Sequence, residues 1–548
     1  MQCNRKAVRY SYSSKPKEIM INLQHITYFH PNKDLLVNDV NLSINRHDKV
    51  ALIGNNGTGK STLLKIMAGL LLPAQGSVKV DSTPYYVPQV FGQFNELTVA
   101  QALQIADKLR ALRAILDGNV TESNLTLLDD DWTIEERCQE ALSHWQLENL
   151  ELTQPLKTLS GGQKTKVLLA GIAIHNPDVV LLDEPSNHLD TAGRQLLYDF
   201  ITSTSATLVV VSHDRKLLNR LDVVFELTRR GITVYGGNYD FYLEQKALDN
   251  NALNQDVKSK EKALRKAREV ERETAERKQK LDARGKKKQE NAGVARIMMN
   301  TLRNNAERST ARLKGIHTEK IGAISEELSE LRRELPDTDK MRFGFDNSSL
   351  HKGKILFSAT DINFGYHDQL LWHEPLRFQI TSGERITLKG LNGSGKTTLI
   401  KIILGELVPG QGSIYRADNQ SVYIDQDYSL IDNTLTVYQQ AQRFNSASLQ
   451  EHEVKIRLNR FLFGKDDWDK SCTVLSGGEK MRLMLCCLTI GHRAPDIIIL
   501  DEPTNNLDIQ SIGILTAAIN EYEGTLIVVS HDESFLDEVN AERVIELA

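Results

Sequence analysis

Residues 49–71, KVALIGNNGTGKSTLLKIMAGLL, decide the fold of this chain, because they predict a strand, a glycine-rich loop and a helix in direct succession. Within them, residues 54–61 match the complete phosphate-loop pattern GxxxxGKS. The glycines let backbone N–H groups turn toward phosphate, Lys60 can reach the β and γ phosphates, and Ser61 can ligate Mg²⁺. Chance matches to this loop lack the flanking strand and helix, so the segment predicts a nucleotide-binding domain of the α/β class.

Further motifs of the first half place polar groups at the ends of predicted strands and helices. VVLLDEP ends a buried strand at Asp183, which can hold Mg²⁺, and Glu184, which can polarise an attacking water. TLVVVSHD ends another strand at His213, a residue that is usually structural when it stands alone. LSGGQK, residues 159–164, precedes a helix whose start offers N–H donors and the positive end of a dipole. A carboxylate pair can also cap a helix, but the phosphate loop upstream makes that interpretation the weaker one.

The second half of the chain repeats this series in the same order. The repeated elements are GLNGSGKT at residues 390–397, Gln426, LSGGEK at residues 475–480, IIILDEP with Asp501 and Glu502, TNNLD with Asp508, and His531; the first half has Gln89 and SNHLD with Asp190. Lys60 and Lys396 are 336 positions apart, whereas Ser160 and Ser476 are 316 apart. The first half therefore carries about 20 additional residues within residues 97–145, and these predict a helical insertion that projects from the first domain.

The stretch between the halves, residues 244–336, predicts two long antiparallel helices. No proline occurs between Pro185 and Pro336, and apolar residues recur at steps of three and four from Ile321 to Leu335. We expect the turn within residues 285–293. Two helices of about 40 residues would each be roughly 60 Å long at ~1.5 Å per residue.

The predicted turn region of this hairpin is strongly basic. Residues 277–314 contain twelve Lys or Arg and three Asp or Glu, although the whole chain has a net charge of −5. Such a cluster suits phosphate backbones; a solvated helical surface is the alternative. Because aromatic residues are absent there, the pattern favours folded RNA over single-strand reading. The candidate RNA contacts are Arg284, Lys286, Lys287, Lys288, Arg296 and Arg303.

Length and composition bound the class of protein. The 548 residues exceed one hydrophobic core, and 40% hydrophobic with 25% charged residues is typical of a globular protein. No signal-peptide pattern and no apolar run of roughly 18 residues occurs, so we expect a cytoplasmic protein. Five cysteines fit neither a disulfide framework nor a metal-site spacing. The expected divisions are a polar tail (1–18), a first nucleotide-binding domain (19–243), the helical hairpin (244–336) and a second nucleotide-binding domain (337–548).

Taken together, these motifs resemble the ATP-binding cassette (ABC) family and, within it, the ABC-F translation factors. Loop, glutamine, LSGGQ, LLDEP, SNHLD and histidine follow that family's order, DEPSNHLD and DEPTNNLD are close to its DEPTNHLD, and ARIMMNTLRNNAE is similar to its linker tip. The resemblance covers about residues 21–546. It implies an α/β fold of two P-loop ABC-type nucleotide-binding domains joined by a long antiparallel α-helical hairpin. It also implies a monomeric ATPase that uses Mg²⁺ at two composite sites, each with the loop of one domain and the signature of the other.

The resemblance further implies a role for each motif residue. The expected catalytic residues are Glu184, Glu502, His213 and His531, and the expected Mg²⁺ ligands are Ser61, Gln89, Asp183, Thr397, Gln426 and Asp501. The expected ATP-binding residues are Gly54, Asn55, Asn56, Gly57, Thr58, Gly59, Lys60, Ser61, Thr62, Gln89, Ser160, Gly161, Gly162, Gln163, Tyr366, Gly390, Leu391, Asn392, Gly393, Ser394, Gly395, Lys396, Thr397, Thr398, Gln426, Ser476, Gly477, Gly478 and Glu479. Asp190 would couple the two sites. Tyr366 matches the aromatic residue that stacks on adenine; His30 stands at that place in the first half, with Tyr28 or Phe29 as substitutes.

For function, the resemblance implies work on the ribosome. In the ABC-F family ATP closes the two domains, the linker enters the ribosomal exit site near the P-site tRNA and the peptidyl transferase centre, and hydrolysis releases it. The insertion at 97–145 resembles the family's arm, which faces the ribosomal stalk or the tRNA elbow. Members displace antibiotics, relieve stalled translation or assist ribosome assembly, and the sequence does not choose among these roles.

Two other classes of protein remain open at the level of sequence. The ATPase component of a membrane transporter would need a separate membrane partner and gives the basic hairpin no role. A DNA-repair or chromosome ATPase also joins such domains to coiled coils, but it inserts the coil within one domain, whereas here the helices lie between two complete ones.

Overall fold

The computed structural model of the protein describes most of the chain. The described residues are 18–30, 33, 35–89, 92–228, 231–290, 296–334, 351–366, 369–391, 393–491, 493–505 and 507–547. They divide into two compact units, of which one contains both α/β domains and the other runs from Leu243 to Met341. The prediction of two α/β domains joined by long helices is thereby confirmed.

The first α/β domain is built on two sheets. Its strands are β1 (Ile19–Phe29), β2 (Leu35–Asn45), β3 (Lys49–Ile53), β4 (Gln75–Val80), β5 (Tyr85–Val87), β6 (Val179–Asp183), β7 (Thr207–Val211), β8 (Val223–Thr228) and β9 (Gly231–Tyr235). The order β5-β6-β7-β3-β8-β9 forms one sheet, parallel except for β9, and the order β2-β1-β4 forms an antiparallel sheet.

Helices cover the parallel sheet, and its central strands are accordingly buried on both faces. The helices are α1 (Lys60–Met67), α2 (Val99–Ala102), α3 (Ala106–Leu116), α4 (Glu122–Leu128), α5 (Ile134–His144), α6 (Gly161–His175), α7 (Thr191–Ser203) and α8 (Arg215–Leu218). Val179 and Leu181 of β6 pack with α1 and the antiparallel sheet, whereas Val180 and Leu182 pack with α3, α5, α6 and α7. Because β3, β6 and β7 are parallel, their carboxyl ends, where the motif residues lie, meet at one edge of the sheet.

The second compact unit consists of two long helices, α9 (Tyr239–Glu290) and α10 (Arg296–Glu334), which follow the first domain in the sequence. Ion pairs between Lys260 and Glu327 and between Arg332 and Glu261 join the helices in antiparallel register. On the predicted seam of α10, Leu328 is buried and the neighbouring apolar residues are half-buried. Leu335, also assigned to that seam, lies outside the described residues.

The turn predicted for residues 285–293 begins too early, because α9 continues through Gly285 to Glu290. One glycine costs a helix only about 1 kcal/mol relative to alanine, and the surrounding Lys, Arg and Gln residues are good helix formers. Residues 291–295 lie outside the described part of the chain. Arg284 is exposed on α9. The side chains of the other candidate RNA contacts, Lys286, Lys287, Lys288, Arg296 and Arg303, also fall outside it.

The second α/β domain repeats the plan of the first. Its strands are β10 (Ile355–Asn363), β11 (Gly365–Tyr366), β12 (Gln369–Leu370), β13 (Leu376–Thr381), β14 (Arg385–Gly390), β15 (Gln411–Arg416), β16 (Ser421–Ile424), β17 (Ile497–Asp501), β18 (Thr525–Val529) and β19 (Arg543–Leu547). Its helices are α11 (Lys396–Leu404), α12 (Val437–Arg443), α13 (Glu451–Arg460), α14 (Gly477–Ile490), α15 (Ile509–Glu521) and α16 (Glu533–Glu538). The order β16-β17-β18-β14-β19 is parallel and β13-β10-β15 is antiparallel.

Comparison of the two domains locates the insertion of the first. Helices α2 and α12 both follow a threonine cap, at Thr98 and Thr436, and α5 and α13 both precede the signature helix. The additional residues are therefore α3 and α4, in the middle of the predicted stretch. Leu109, Leu112 and Leu128 are buried in the main core of the domain, so these helices pack on it over part of their surface rather than standing free.

Two candidate nucleotide sites

The first phosphate loop, between β3 and α1, is shaped by glycines and closed by its lysine. Gly54 has φ +151°, and a side chain there would meet the carbonyl oxygen of Leu227 at 2.3 Å, so only glycine fits. The Nζ atom of Lys60 donates hydrogen bonds to the carbonyl oxygens of Gly54 at 2.7 Å and Asn55 at 3.1 Å. The ammonium group thus lies over the loop that precedes it, and its burial lowers the pKa of Lys60.

At the end of β6, Asp183 faces the first residue after the loop lysine. The Ser61 hydroxyl donates to Oδ1 of Asp183 at 3.1 Å, and the Tyr86 hydroxyl donates to Oδ2 at 3.2 Å. Burial raises the pKa of Asp183, and these hydrogen bonds oppose that effect. A hydroxyl and a carboxylate side by side are the hard oxygen donors that Mg²⁺ prefers, so this pair fits the ion that the sequence motifs imply.

Glu184 follows in a left-handed backbone conformation, φ +51°, with its N–H bonded to Val211 of β7 at 2.8 Å. His213 meets its side chain twice: Nε2 lies 3.2 Å from Oε1, and the backbone N–H of His213 donates to Oε2 at 3.3 Å. Burial raises the pKa of Glu184 and lowers that of His213. The Nδ1 atom of His213 is buried without a hydrogen-bond partner among the described residues, an arrangement that suits a site completed by a ligand.

The second phosphate loop reproduces the lysine and tyrosine contacts of the first. Nζ of Lys396 donates to the carbonyl oxygens of Gly390 at 2.8 Å and Leu391 at 2.9 Å, and the Tyr423 hydroxyl donates to Asp501 at 2.8 Å. Thr397, the counterpart of Ser61, is exposed. Asn392, assigned to ATP binding from the sequence, lies outside the described residues.

The acid and histidine of the second domain also lie together. Glu502 has φ +47°, and Nε2 of His531 lies 3.5 Å from its Oε1. Burial raises the pKa of Glu502 to about 7 and lowers the pKa of His531 to about 4. A carboxyl group with a pKa near neutrality is suited to exchange a proton with water at physiological pH.

The signature segments begin helices α6 and α14, and each serine caps its helix. The Ser160 hydroxyl accepts from the N–H of Gln163, and the Ser476 hydroxyl accepts from the N–H of Glu479. Gly161, Gly162, Gly477 and Gly478 form the first turns. A side chain at Gly162 would come within 2.6 Å of a backbone oxygen of the SNHLD loop, so glycine is required there.

Residues of the two domains meet at both sites. A cavity of about 350 Å³ at the first loop includes Ser476 of the second domain; it is lined by His30, Leu36, Asn56, Gly57, Gly59, Lys60, Ser61, Thr62, Gln89, Asp183, Glu184, Val211, His213 and Ser476. The N–H of Asn56 donates to Oδ2 of Asp508 at 2.7 Å. Toward the second loop, the Thr191 hydroxyl lies 3.3 Å from Nδ1 of His531. The structure thus brings Ser476 and Asp508 of the second domain to the first phosphate loop, and Thr191 of the first domain to the histidine of the second site.

The aromatic position differs between the two sites. Tyr366 is half-exposed, and its hydroxyl is 3.2 Å from that of Thr398 in α11. In the first domain His30 lines the cavity at the corresponding place. Of the two substitutes considered, Tyr28 packs against the core and Phe29 is exposed.

Sequence inspection missed three contributors to these sites. Tyr86 stands three residues before Gln89, and Tyr423 stands three residues before Gln426. Comparison of the two repeats therefore carries a signal for both tyrosines. Thr191 has no such signal, because its counterpart in the second half is Ile509 and only the pairing of the two domains reveals its contact.

The chain is similar over most of its length to known ATP-binding proteins. The family described as "ABC transporter" matches residues 37–187 and 373–505. The putative ATP-binding protein YdiF of Bacillus subtilis is 31% identical over 94% of this chain and 78% of its own length. "ABC transporter F family member 5" of Arabidopsis thaliana is 30% identical over 93% of this chain and 72% of its own length. ATP-binding protein Uup of Haemophilus influenzae is 30% identical over 92% and 76%.

Solved structures show the same fold at lower identity. An archaeal ribosome recycling factor, aABCE1, crystallised with the ribosomal stalk protein aP1, has a TM-score of 0.59 and 21% identity over 95% of this chain and 87% of its own. Among the described helices, none is long and apolar enough to cross a membrane. With the family match covering more than half of the chain and relatives of 30% identity spanning more than nine-tenths of it, this protein belongs to the ABC-F family and is an ATPase.

Proposed function

We propose that this protein is a ribosome-binding translation factor in which ATP closes the two α/β domains and hydrolysis lets them reopen. The observation that carries the closing step is the presence of Ser476 in the cavity at Lys60. A γ-phosphate held between the loop of one domain and the signature of the other contacts both only in the closed state. ATP therefore favours closure by that difference in contact, and loss of the γ-phosphate removes it.

The chemistry requires few groups. Lys60 and the loop N–H groups bind the phosphates, and Glu184, held by His213, receives a proton from the attacking water as the bond to the γ-phosphorus forms and the bond to ADP breaks. In the second site Lys396, Glu502 and His531 take these roles. Ser61, Gln89 and Asp183 in the first site, and Thr397, Gln426 and Asp501 in the second, would hold Mg²⁺, which supplies neutralisation of phosphate charge.

The ribosomal part of the proposal rests on the helical unit and on similar proteins. Residues 277–314 concentrate positive charge at the end of two long helices, a distribution suited to ribosomal RNA. A protein with the same fold is an archaeal ribosome recycling factor. We place the linker near the P-site tRNA and the peptidyl transferase centre, with helices α3 and α4 toward the stalk or the tRNA elbow. Antibiotic protection and relief of stalling are the two tasks that such a placement permits.

Sedimentation with ribosomes tests the proposal. The variant Glu184→Gln with Glu502→Gln should slow hydrolysis, preserve closure and remain with ribosomes in the presence of ATP. Lys60→Ala with Lys396→Ala is the matched control, since it weakens phosphate binding and should not be retained. Absence of ribosome binding under all nucleotide conditions, in a variant that still binds ATP, would contradict the proposal; retention on membranes or duplex DNA would then favour the two other classes.

A second variant tests the role of the linker. Lys286, Lys287 and Lys288 replaced together by Glu should weaken ribosome binding at least about 10-fold, because three phosphate attractions become repulsions. The control replaces Lys258, Lys262 and Lys266, exposed on the same helix far from its end, by Glu. Equal effects of the two triple variants would show that charge alone, rather than its position, governs binding.

A further inference from the structure

The signature segments LSGGQK and LSGGEK differ at one position, which is Gln163 in the first domain and Glu479 in the second. In both domains this side chain caps the helix that follows. Oε1 of Gln163 accepts from the backbone N–H of Ser160 at 2.9 Å, and Oε2 of Glu479 accepts from the backbone N–H of Ser476 at 2.8 Å. An amide oxygen thus serves the cap as well as a carboxylate does, so the cap itself does not require the charge of Glu479.

The carboxylate of Glu479 makes a second contact that the amide of Gln163 does not. The hydroxyl of Ser476 lies 2.8 Å from the same Oε2 atom of Glu479. An ionised carboxylate only accepts hydrogen bonds, so the hydroxyl donates its one proton to it. The Ser160 hydroxyl accepts from the N–H of Gln163 at 3.3 Å, and within the part of the chain that the structure describes it donates to no group.

Glu479 is paired with a lysine whose place in the first domain is taken by a neutral residue. Nζ of Lys470 donates to Oε1 of Glu479 at 3.0 Å, and 26% of the Glu479 side chain is exposed. Burial raises the pKa of this carboxyl group, but the hydrogen bonds from Ser476 and Lys470 bring its pKa below the ordinary value. Gln154 stands in the place of Lys470 and donates to the Thr158 hydroxyl at 2.7 Å. Both members of the charged pair therefore have neutral counterparts.

The serine that Glu479 holds lines the first ATP site. Ser476 borders the cavity at the first phosphate loop together with Lys60. The oxygens of an ionised γ-phosphate accept hydrogen bonds, so Ser476 can donate to one of them only by releasing Glu479. The carboxylate and the phosphate also carry charges of the same sign and repel each other. Binding of ATP at this site therefore acts against the contact between Ser476 and Glu479.

We propose that Glu479 competes with the γ-phosphate for the hydroxyl of Ser476, so that the first ATP site closes only after this hydrogen bond breaks and binds ATP less tightly than the second. Lys470 limits the repulsion between Glu479 and the phosphate by pairing with the carboxylate. The inference rests on the proposed pairing of each phosphate loop with the signature of the opposite domain. A purely structural alternative is that Glu479 does no more than cap α14.

Reciprocal exchange of the two side chains tests the inference one site at a time. In Glu502→Gln protein the remaining hydrolysis reports the first site, and in Glu184→Gln protein it reports the second. Glu479→Gln should lower the KM of the first site about 10-fold, because ATP no longer displaces a charged acceptor, with kcat changed less than about twofold. It should change the KM of the second site less than about threefold, whereas Gln163→Glu should raise that KM about 10-fold.

A substitution at the lysine separates the charge of Glu479 from its capping role. Lys470→Gln should raise the KM of the first site at least about threefold, because Glu479 then faces the phosphate without a counter-charge. In Glu479→Gln protein the same substitution should have almost no effect, since the two side chains act as a pair. Lys465→Gln, at an exposed lysine nearby, is the matched control and should leave KM unchanged.

No lowering of KM by Glu479→Gln would overturn the inference in favour of the capping role, which glutamine preserves. An equal lowering at both sites would also overturn it, because the competition concerns the first site. If neither Glu184→Gln nor Glu502→Gln slows hydrolysis, the proposed roles of those glutamates fail, which is a distinct result.

Photolabelling on ice with 8-azido-ATP decides the inference in that case, and also if either background loses all hydrolysis. Glu479→Gln should lower the concentration for half-maximal labelling of the peptide containing His30 about 10-fold. The concentration for the peptide containing Tyr366 should stay unchanged. Equal shifts for the two peptides, or no shift for either, would contradict the inference.

Discussion

The two ATP sites share one skeleton and differ at the surface where the domains meet. In each site the loop lysine donates hydrogen bonds to two carbonyl oxygens, and a tyrosine donates one to the strand-end aspartate. In each, a glutamate with a left-handed backbone conformation contacts a histidine. From the opposite domain, Asp508 bonds the first loop, and the charge of Asp190 acts on Lys396 and His531 of the second site. The contact of Thr191 with His531 has no such counterpart, because Ile509 stands in the equivalent place. The lysine, tyrosine, glutamate and histidine contacts within a domain are thus the same in both copies, and the difference lies at the interface, where Thr191 is matched by Ile509.

The largest expected effect concerns the buried acids. A Glu that is ionised above about pH 4.5 when unfolded, but has a folded pKa of about 7, destabilises the fold as pH rises from 4.5 to 7. Removing this cost, about 3 kcal/mol for Glu502, should raise the unfolding temperature of nucleotide-free Glu502→Gln protein by a few degrees at pH 8 and not at pH 4.5. Glu184→Gln should gain at least as much, because burial raises the pKa of Glu184 further, to about 8.

Calorimetry at the two pH values checks this prediction, with the exposed Glu523→Gln as control. A stabilisation that is the same at both pH values would show that packing of the amide, rather than loss of a buried charge, is responsible. A larger gain for Glu502→Gln than for Glu184→Gln would contradict the prediction. It would show that the ionised form of Glu502 is more strongly destabilised in the fold than that of Glu184.

An intermediate effect is expected from the ion pairs that join α8 to α16 across the interface. Arg215 pairs with Glu538, and Lys216 pairs with Glu533. Reversing Arg215 and Lys216 to Glu should cost closure about 2 kcal/mol, because two partly exposed attractions become repulsions, and should lower ATP hydrolysis at both sites alike. Further reversal of Glu533 and Glu538 to Lys should restore the rate.

Steady-state hydrolysis measures this effect, and the exposed pair Lys352→Glu with Lys354→Glu provides the same change of charge elsewhere. If the hydrolysis rate of the variant with all four substitutions does not recover, these side chains act separately rather than as pairs. Loss confined to one site would sharpen the comparison by adding α8 and α16 to the features that distinguish the sites.

The smallest effect is expected for the tyrosines that bond the strand-end aspartates. Tyr86→Phe and Tyr423→Phe each remove one hydrogen bond, worth about 1 kcal/mol, and should raise the Mg²⁺ concentration needed for half-maximal hydrolysis about fivefold. The two variants should behave alike, because this part of the skeleton is duplicated. A clear difference between their Mg²⁺ titrations would contradict the view that divergence is confined to the interface.

How much the sequence could predict follows the same division. The phosphate loops, the strand-end acids and the signature helices are short local patterns, and the structure places each one at the strand end or helix start that its pattern indicates. A turn is predicted from Gly285 onward, whereas the helix formers around this glycine decide the local structure and continue α9 to Glu290. The insertion was located only to residues 97–145, since a change of spacing does not show which helices are additional.

Contacts between domains were beyond such patterns. Nothing local distinguishes Thr191 from any helix-starting threonine until α7 is placed against the second domain. The change of spacing predicts an insertion that projects from the domain. In the structure Leu109 and Leu112 of α3 lie on the face that meets the core, which the charged sequence of the helix does not reveal. The contacts of these residues depend on packing between segments that are distant in sequence, and no local spacing of residue types predicts such packing.

The opposite charges of α8 and α16 determine which domains can pair favourably at this interface. Arg215 and Glu538 correspond to Glu533 and Arg220 in the other copy, so the repeat has exchanged the sign of charge at both positions. Two identical first domains brought together in this arrangement would set Arg215 against Arg220, and two second domains would set Glu533 against Glu538. These charges therefore disfavour pairing of either half with a copy of itself and favour its pairing with the other half.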